Sequence, residues 1–154
     1  MTSVFAFEQA DLPKAERFVA AGVEDVYRVI EAVDGWSSWV DGIVAPVRVH
    51  EGPAFEVSWI RDGRMTTHHV AITARGPFHT LSAEVDQHFR VHVRTRPLRS
   101  GTHVEVVVEP LGKPRRRGQW FRRRRVVKCS AVLSSFLDQL AAHVEDRRES
   151  KDDS

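Results

Sequence analysis

The sequence predicts an α+β fold in which about seven antiparallel strands form a sheet whose apolar face packs on one long C-terminal helix. Three observations carry this. Between residues 45 and 110 the chain alternates apolar and polar residues in short runs separated by turn signals. Residues 126–144 instead space their apolar side chains three and four apart, the helical period. Ahead of the strand run stand one isolated strand and two short helical segments, and no linker rich in Pro, Gly or Ser divides the chain.

The first strand is "KAERFVAA" (14–21), ended by Gly22. "VEDVYRVIEAV" (23–33) follows as an amphipathic helix, with Val23, Val26, Tyr27 and Ile30 on one face. Glu24 and Asp25 sit in its first turn, where the helix dipole favours anions. "GWSSWVDGI" (35–43) reads as a second short helix or turn between two glycines. The strands then come in order. "APVRVHEG" (45–52) puts Val47 and Val49 on one face, and "AFEVSWIRDG" (54–63) puts Phe55, Val57 and Trp59 inward. Its "DG" is a hairpin signal leading into "RMTTHHVAITA" (64–74). "TLSAEVDQ" (80–87) and "THVEVVVEP" (102–110) flank "HFRVHVRTR" (88–96), the clearest strand. There Phe89, Val91 and Val93 oppose His88, Arg90, His92, Arg94 and Arg96.

The last element, roughly 118–147, is a helix on which Val126, Cys129, Leu133, Phe136, Leu137, Leu140 and Val144 share a face. At about 1.5 Å per residue it is roughly 40 Å long, enough to cross a domain. Consecutive strands joined by short turns make an antiparallel meander, and a one-sided sheet must cover its apolar face. This helix is the element long enough to do so. The reading is one domain over 1–147, with 1–13 as an N-terminal extension and 148–154 as a disordered polar tail.

Composition suits a soluble globular chain of 154 residues: 42% apolar and 29% charged. No window reaches the roughly 18 apolar residues of a membrane-spanning helix, and the opening residues are not a secretory signal. Cys129 stands alone, so neither an internal disulfide nor a cysteine-based zinc site can form within one chain. A cytoplasmic location is the default expectation. Net charge is +2, yet "KPRRRGQWFRRRRVVK" (113–128) holds nine basic residues and no acid, so the rest of the chain stands at −7.

The chain resembles the START/Bet v 1-like superfamily (SRPBCC), and within it the bacterial polyketide cyclase/dehydrase-like branch. The resemblance is carried by "ERFVAAGVEDVYRVIEAVDGWSSWVDGI", the strand run and the basic-to-amphipathic terminal helix, and covers roughly 14–147. Tyr27 takes the family's aromatic place in the first helix. Trp36 and Trp39 take its Trp-x-x-Trp-like turn. The resemblance implies a helix-grip fold: a strongly curved sheet wrapped around the terminal helix, with a cavity between them roofed in part by the short helices. Shape defines the family more than chemistry does.

The expected function is binding of a small hydrophobic, lipid-like or polyketide-like molecule in that cavity. The candidate lining is Trp36, Trp39, Phe55, Val57, Trp59, Phe89, Val91, Val93, Leu133, Phe136, Leu137 and Leu140, with Thr67 and His69 as polar contacts. Period-two alternation turns one of His68 and His69 inward. If Val70 and Ile72 face in, it is His68; matching the strand to polyketide aromatase/cyclase relatives turns Met65, Thr67 and His69 inward instead. The relatives' buried basic residue and hydroxyl orient a poly-keto chain and assist enolisation. In an alternative reading the chain is an aromatase/cyclase or dehydratase acting on a carrier-bound chain, with His69 as proton-transfer group. In a third it is an interaction module docking an anionic partner through Arg115, Arg116, Arg117, Arg122 and Arg123. An acyl carrier protein or an anionic lipid surface suits that run, with Trp120 and Phe121 placed to insert at an interface. The acidic body argues against nucleic acid. His88 and His92 share a strand face with arginines, which opposes a metal, and no cofactor fingerprint occurs.

Overall fold

The computed structural model describes residues 12–44, 47–76, 79–111 and 123–152. The elements are β1 (Lys14–Val19), α1 (Val23–Glu31), a 3-10 segment (Val33–Ser38), β2 (Arg48–Val49), β3 (Ala54–Arg61), β4 (Arg64–Gly76), β5 (Thr80–Val85), β6 (Phe89–Leu98), β7 (Gly101–Pro110) and α2 (Arg123–Asp152). The seven strands form one curved antiparallel sheet in the order β1-β7-β6-β5-β4-β3-β2. Strands β2 to β7 are a meander, and the first strand closes the row by pairing with the last.

Cross-strand partners share a face, so the register identifies the inner side. Ala15 and Val93 both oppose Val106, Leu81 opposes Val93, Ile72 opposes Ala83, and Phe55 opposes Val70. All of these are buried and join the core with Leu137, Leu140, Ala141 and Val144 of α2. The other face of the meander carries cross-strand ion pairs, Arg94 to Glu105 at 2.9 Å and Arg90 to Glu84 at 3.0 Å, and a hydrogen bond between His92 Nε2 and Glu109 at 2.7 Å. This is the wet face that the alternation in "HFRVHVRTR" predicts. A register shift between Ile72 and Ala74 marks an irregularity in β4, the kind of defect that lets a strand bend.

α2 is held along β1. The Arg17 guanidinium pairs with Asp138, and Ser130 Oγ accepts the Lys14 N–H at 3.2 Å. Glu145 accepts the Ala20 N–H at 2.9 Å, and Arg148 donates to the Ala20 carbonyl at 2.7 Å. The last two contacts explain a difference from the sequence reading, which ends the helix near 147 and expects a loose tail. Glu and Arg are good helix formers, and Arg148 ties the added turns to the body.

Two other boundaries shift. The strand expected over 45–52 is regular only at Arg48–Val49, with 45–46 outside the described residues. The second helix is a tight 3-10 segment, followed by a turn pinned to β3. Ile60 N–H donates to the Gly42 carbonyl at 2.8 Å and the Trp59 indole to the Asp41 carbonyl at 3.1 Å. Gly42 has φ +90, and a Cβ there would lie 2.5 Å from the Ile60 oxygen, so only glycine fits.

Candidate functional site

Burial along α2 is graded. Leu137, Leu140 and Ala141 are fully buried, whereas Val126, Cys129, Leu133 and Phe136 on the same face are only half-buried. The sheet shows the matching gradient. Phe55, Val57 and Val93 are buried, but Trp59, Val85, Phe89 and Val91 on the same inner face stay half-buried. Solvent therefore reaches the concave face where the β3–β4 hairpin, the turn after β5 and the first half of α2 converge. Burial pushes the Cys129 thiol up, against a smaller downward pull from Arg61.

A polar chain stands at this end. The Thr66 hydroxyl and His68 Nε2 are 2.9 Å apart, and His68 Nδ1 and Asp86 Oδ2 are 2.7 Å apart. The second Asp86 oxygen accepts the His69 backbone N–H at 2.7 Å. Asp86 and Gln87 adopt φ 54 and 60 in the turn after β5, which swings the carboxylate back over β4. Burial works to raise the Asp86 pKa. The His68 hydrogen bond, the His69 N–H and the nearby histidine charges outweigh it, holding the carboxyl below its ordinary value. Hydroxyl, imidazole and carboxylate thus follow the order in which a carboxylate orients a base and the base polarises a hydroxyl.

This corrects the polar contacts expected from the sequence. β3 and β4 pair with Val57 opposite His68 and Trp59 opposite Thr66, so Thr66 and His68 share the inner face. Thr67 and His69 lie on the other face. Thr67 meets Ser58 Oγ at 3.0 Å, and the His69 ring stacks on His50 at 5.1 Å. Met65, on that same face, is 64% exposed. The physical reason is the period of two: matching the relatives shifts the strand by one residue and flips every side chain. Asp86 escaped the sequence reading because it is 18 residues from His68, and only the β4–β5 pairing brings them together.

Trp36 and Trp39 clamp Phe136 of α2. Each indole lies 5.1 Å from the Phe136 ring, and the two lie 6.3 Å from each other in an edge-on arrangement. The Trp36 indole donates to the Ile30 carbonyl at 3.1 Å, and His143 stacks on Trp39 at 5.8 Å. Burial, then the Arg147 charge, lowers the His143 pKa against a smaller opposing pull from Asp146. The indoles thus form the back wall where the turn docks on the helix. Of the remaining expected lining, Phe55, Val57, Val93, Leu137 and Leu140 are buried in the core, while Trp59, Phe89, Val91 and Leu133 are half-buried.

A cleft of about 420 Å³ opens elsewhere, between α1, the 3-10 segment and the last turns of α2. Arg115, Arg116, Arg117 and Arg122 lie outside the described residues, and Arg123 begins α2. Among the described residues, no three His, Cys, Asp or Glu side chains are grouped to hold a metal ion. No helix there is long and apolar enough to cross a membrane.

No family model matches the chain, and no curated protein matches it. Solved structures do. A START superfamily protein from Mycobacterium smegmatis aligns with TM-score 0.65 at 17% identity, over 88% of this chain and 97% of that one. Ara h 8.0201 aligns with TM-score 0.67 at 12% identity, over 86% and 96%. The Zhui aromatase/cyclase from Streptomyces sp. R1128 aligns with TM-score 0.62 at 15% identity, over 87% and 93%. The chain has the START/Bet v 1-like helix-grip fold.

The depressed Asp86 pKa has a consequence for stability. A carboxyl with a folded pKa below its unfolded value near about 3.9 stabilises the fold above that pH, and loses this contribution as pH falls through the folded pKa. Asp86→Asn is expected to be less stable than the natural chain near pH 7. The gap in urea midpoint should close as pH drops below about 4; a gap independent of pH would refute the assignment.

Proposed function

We propose that the chain binds a small, largely hydrophobic molecule on its concave face, between the first half of α2 and the open end of the sheet. The observation that carries this is the set of inward apolar side chains left half-buried: Trp59, Val85, Phe89, Val91, Leu133 and Phe136. Inward apolar side chains that stay wet leave surface for a ligand to cover. Each Å² of apolar area so covered contributes about 25 cal/mol. His68 and Thr66 supply the polar contacts that orient such a ligand. The fold-level likeness to START, Bet v 1 and cyclase structures supports the general reading.

The test is titration with N-phenyl-1-naphthylamine, a neutral apolar fluorophore. Saturable enhancement is expected, with at least about a tenfold loss of affinity in Leu133→Trp, whose larger ring would occupy the open space. Absence of saturable binding, or equal binding by Leu133→Trp, would refute the reading.

The Thr66–His68–Asp86 chain favours a second reading, in which His68 removes a proton next to a carbonyl and Asp86 holds the imidazole for it. The substrate class is a β-keto thioester, such as a carrier-bound poly-keto chain. The basic run over 113–128, read from sequence, would suit an acidic carrier protein or an anionic lipid surface. Deuterium exchange at the acidic carbon of an acetoacetyl thioester in D₂O measures this. About 100-fold acceleration over buffer is expected, falling to the buffer rate in His68→Ala. Equal rates with and without the natural protein would rule the second reading out and leave the binding reading standing.

A further inference from the structure

The cleft beside α1 has a lining unlike that of the concave face. Its apolar floor comes from Val29, Ala32, Val144 and the Trp39 ring. Trp39 and His143 stack nearly parallel there, with 16° between their planes. Around them stand Arg28, Arg147 and Arg148 against one carboxylate, Asp25. Arg148 is committed through one nitrogen to the Ala20 carbonyl. Arg28 and Arg147 are exposed and have no ion-pair partner among the described residues. They rise from different helices, Arg28 from α1 and Arg147 from α2. Two uncommitted guanidinium forks over an apolar floor match one ligand shape: a flat apolar body ending in an acid. The volume lies within the range of small-molecule sites, about 300–1,000 Å³.

We propose that this cleft binds a small aromatic carboxylate, its ring seated against the Trp39–His143 pair and its carboxylate held by Arg28 and Arg147. His143, whose pKa burial and Arg147 hold down, offers a stacking ring there. An amine would meet three guanidinium groups and be repelled. The site is independent of the concave face, from which it borrows only the Trp39 ring.

The experiment is an NMR titration of the full chain with 2-naphthoate, and with 2-naphthamide as the neutral match. Saturable shifts of the Trp39 and His143 side-chain signals are expected for the acid, with the amide about tenfold weaker. Arg28→Gln/Arg147→Gln should weaken naphthoate about tenfold and leave the amide unchanged, because charge-assisted contacts alone are removed. Both positions are exposed, so the variant keeps its fold. Three results would overturn the proposal: no saturation, equal affinity for acid and amide, or naphthoate shifts confined to Trp59 and Leu133. A failure of concave-face binding would show instead with N-phenyl-1-naphthylamine, so the two readings fall separately.

Discussion

A helix about 10–12 Å across cannot cover the inner face of seven strands spaced about 4.8 Å apart, which spans roughly 30 Å. Everything at the concave face follows from how this mismatch is resolved. The chain places α2 to one side, against β1, through the Arg17–Asp138 pair and the Ala20 contacts to Glu145 and Arg148. α1 and the 3-10 segment cover a second part, locked to α2 by Trp36, Trp39 and Phe136. The sheet bends around what remains. The share of the inner face near the β3–β4 hairpin and the turn after β5 keeps solvent access, and that is where Trp59, Phe89, Val91 and Leu133 are left half-buried.

The same geometry explains why a hydrogen-bonded polar chain can sit on an otherwise apolar surface. Thr66, His68 and Asp86 lie at the open end, where water reaches them and the cost of burying charge is small. Deeper in the core the inner-face polar groups are bonded to backbone: Thr102 donates to the Ala21 carbonyl at 2.7 Å and Thr95 to the His79 carbonyl at 2.8 Å. One face thus runs from a sealed end to a wet, titratable end.

Much of this was legible in the sequence, and the parts that were not share a cause. Alternation revealed strands such as β3 and β5 because one of their faces is buried and the other wetter, and the three–four spacing revealed α2. Trp36 and Trp39, expected from the sequence as cavity lining, pack in the structure against Phe136. The choice between His68 and His69 turns on which way Val70 and Ile72 of β4 face. Both are buried, so alternation along β4 turns His68 inward, and the pairing with Val57 and Trp59 of β3 agrees, while Met65 marks the exposed side. Asp86 was hidden because its partnership with His68 exists only across a hairpin. The helix end is not legible in "EDRRES", which is polar throughout, because its ties run from Glu145 and Arg148 to Ala20, far away in the chain.

The central claim is that the concave face is sealed at one end and open at the other. Methyl relaxation under dissolved oxygen, a small apolar probe that enters accessible hydrophobic space, measures this residue by residue. The account predicts strong enhancement at the methyls of Val85, Val91 and Leu133 and weak enhancement at Leu137 and Leu140. Uniformly weak enhancement at all five would mean that side chains fill the space completely, and the account would be wrong.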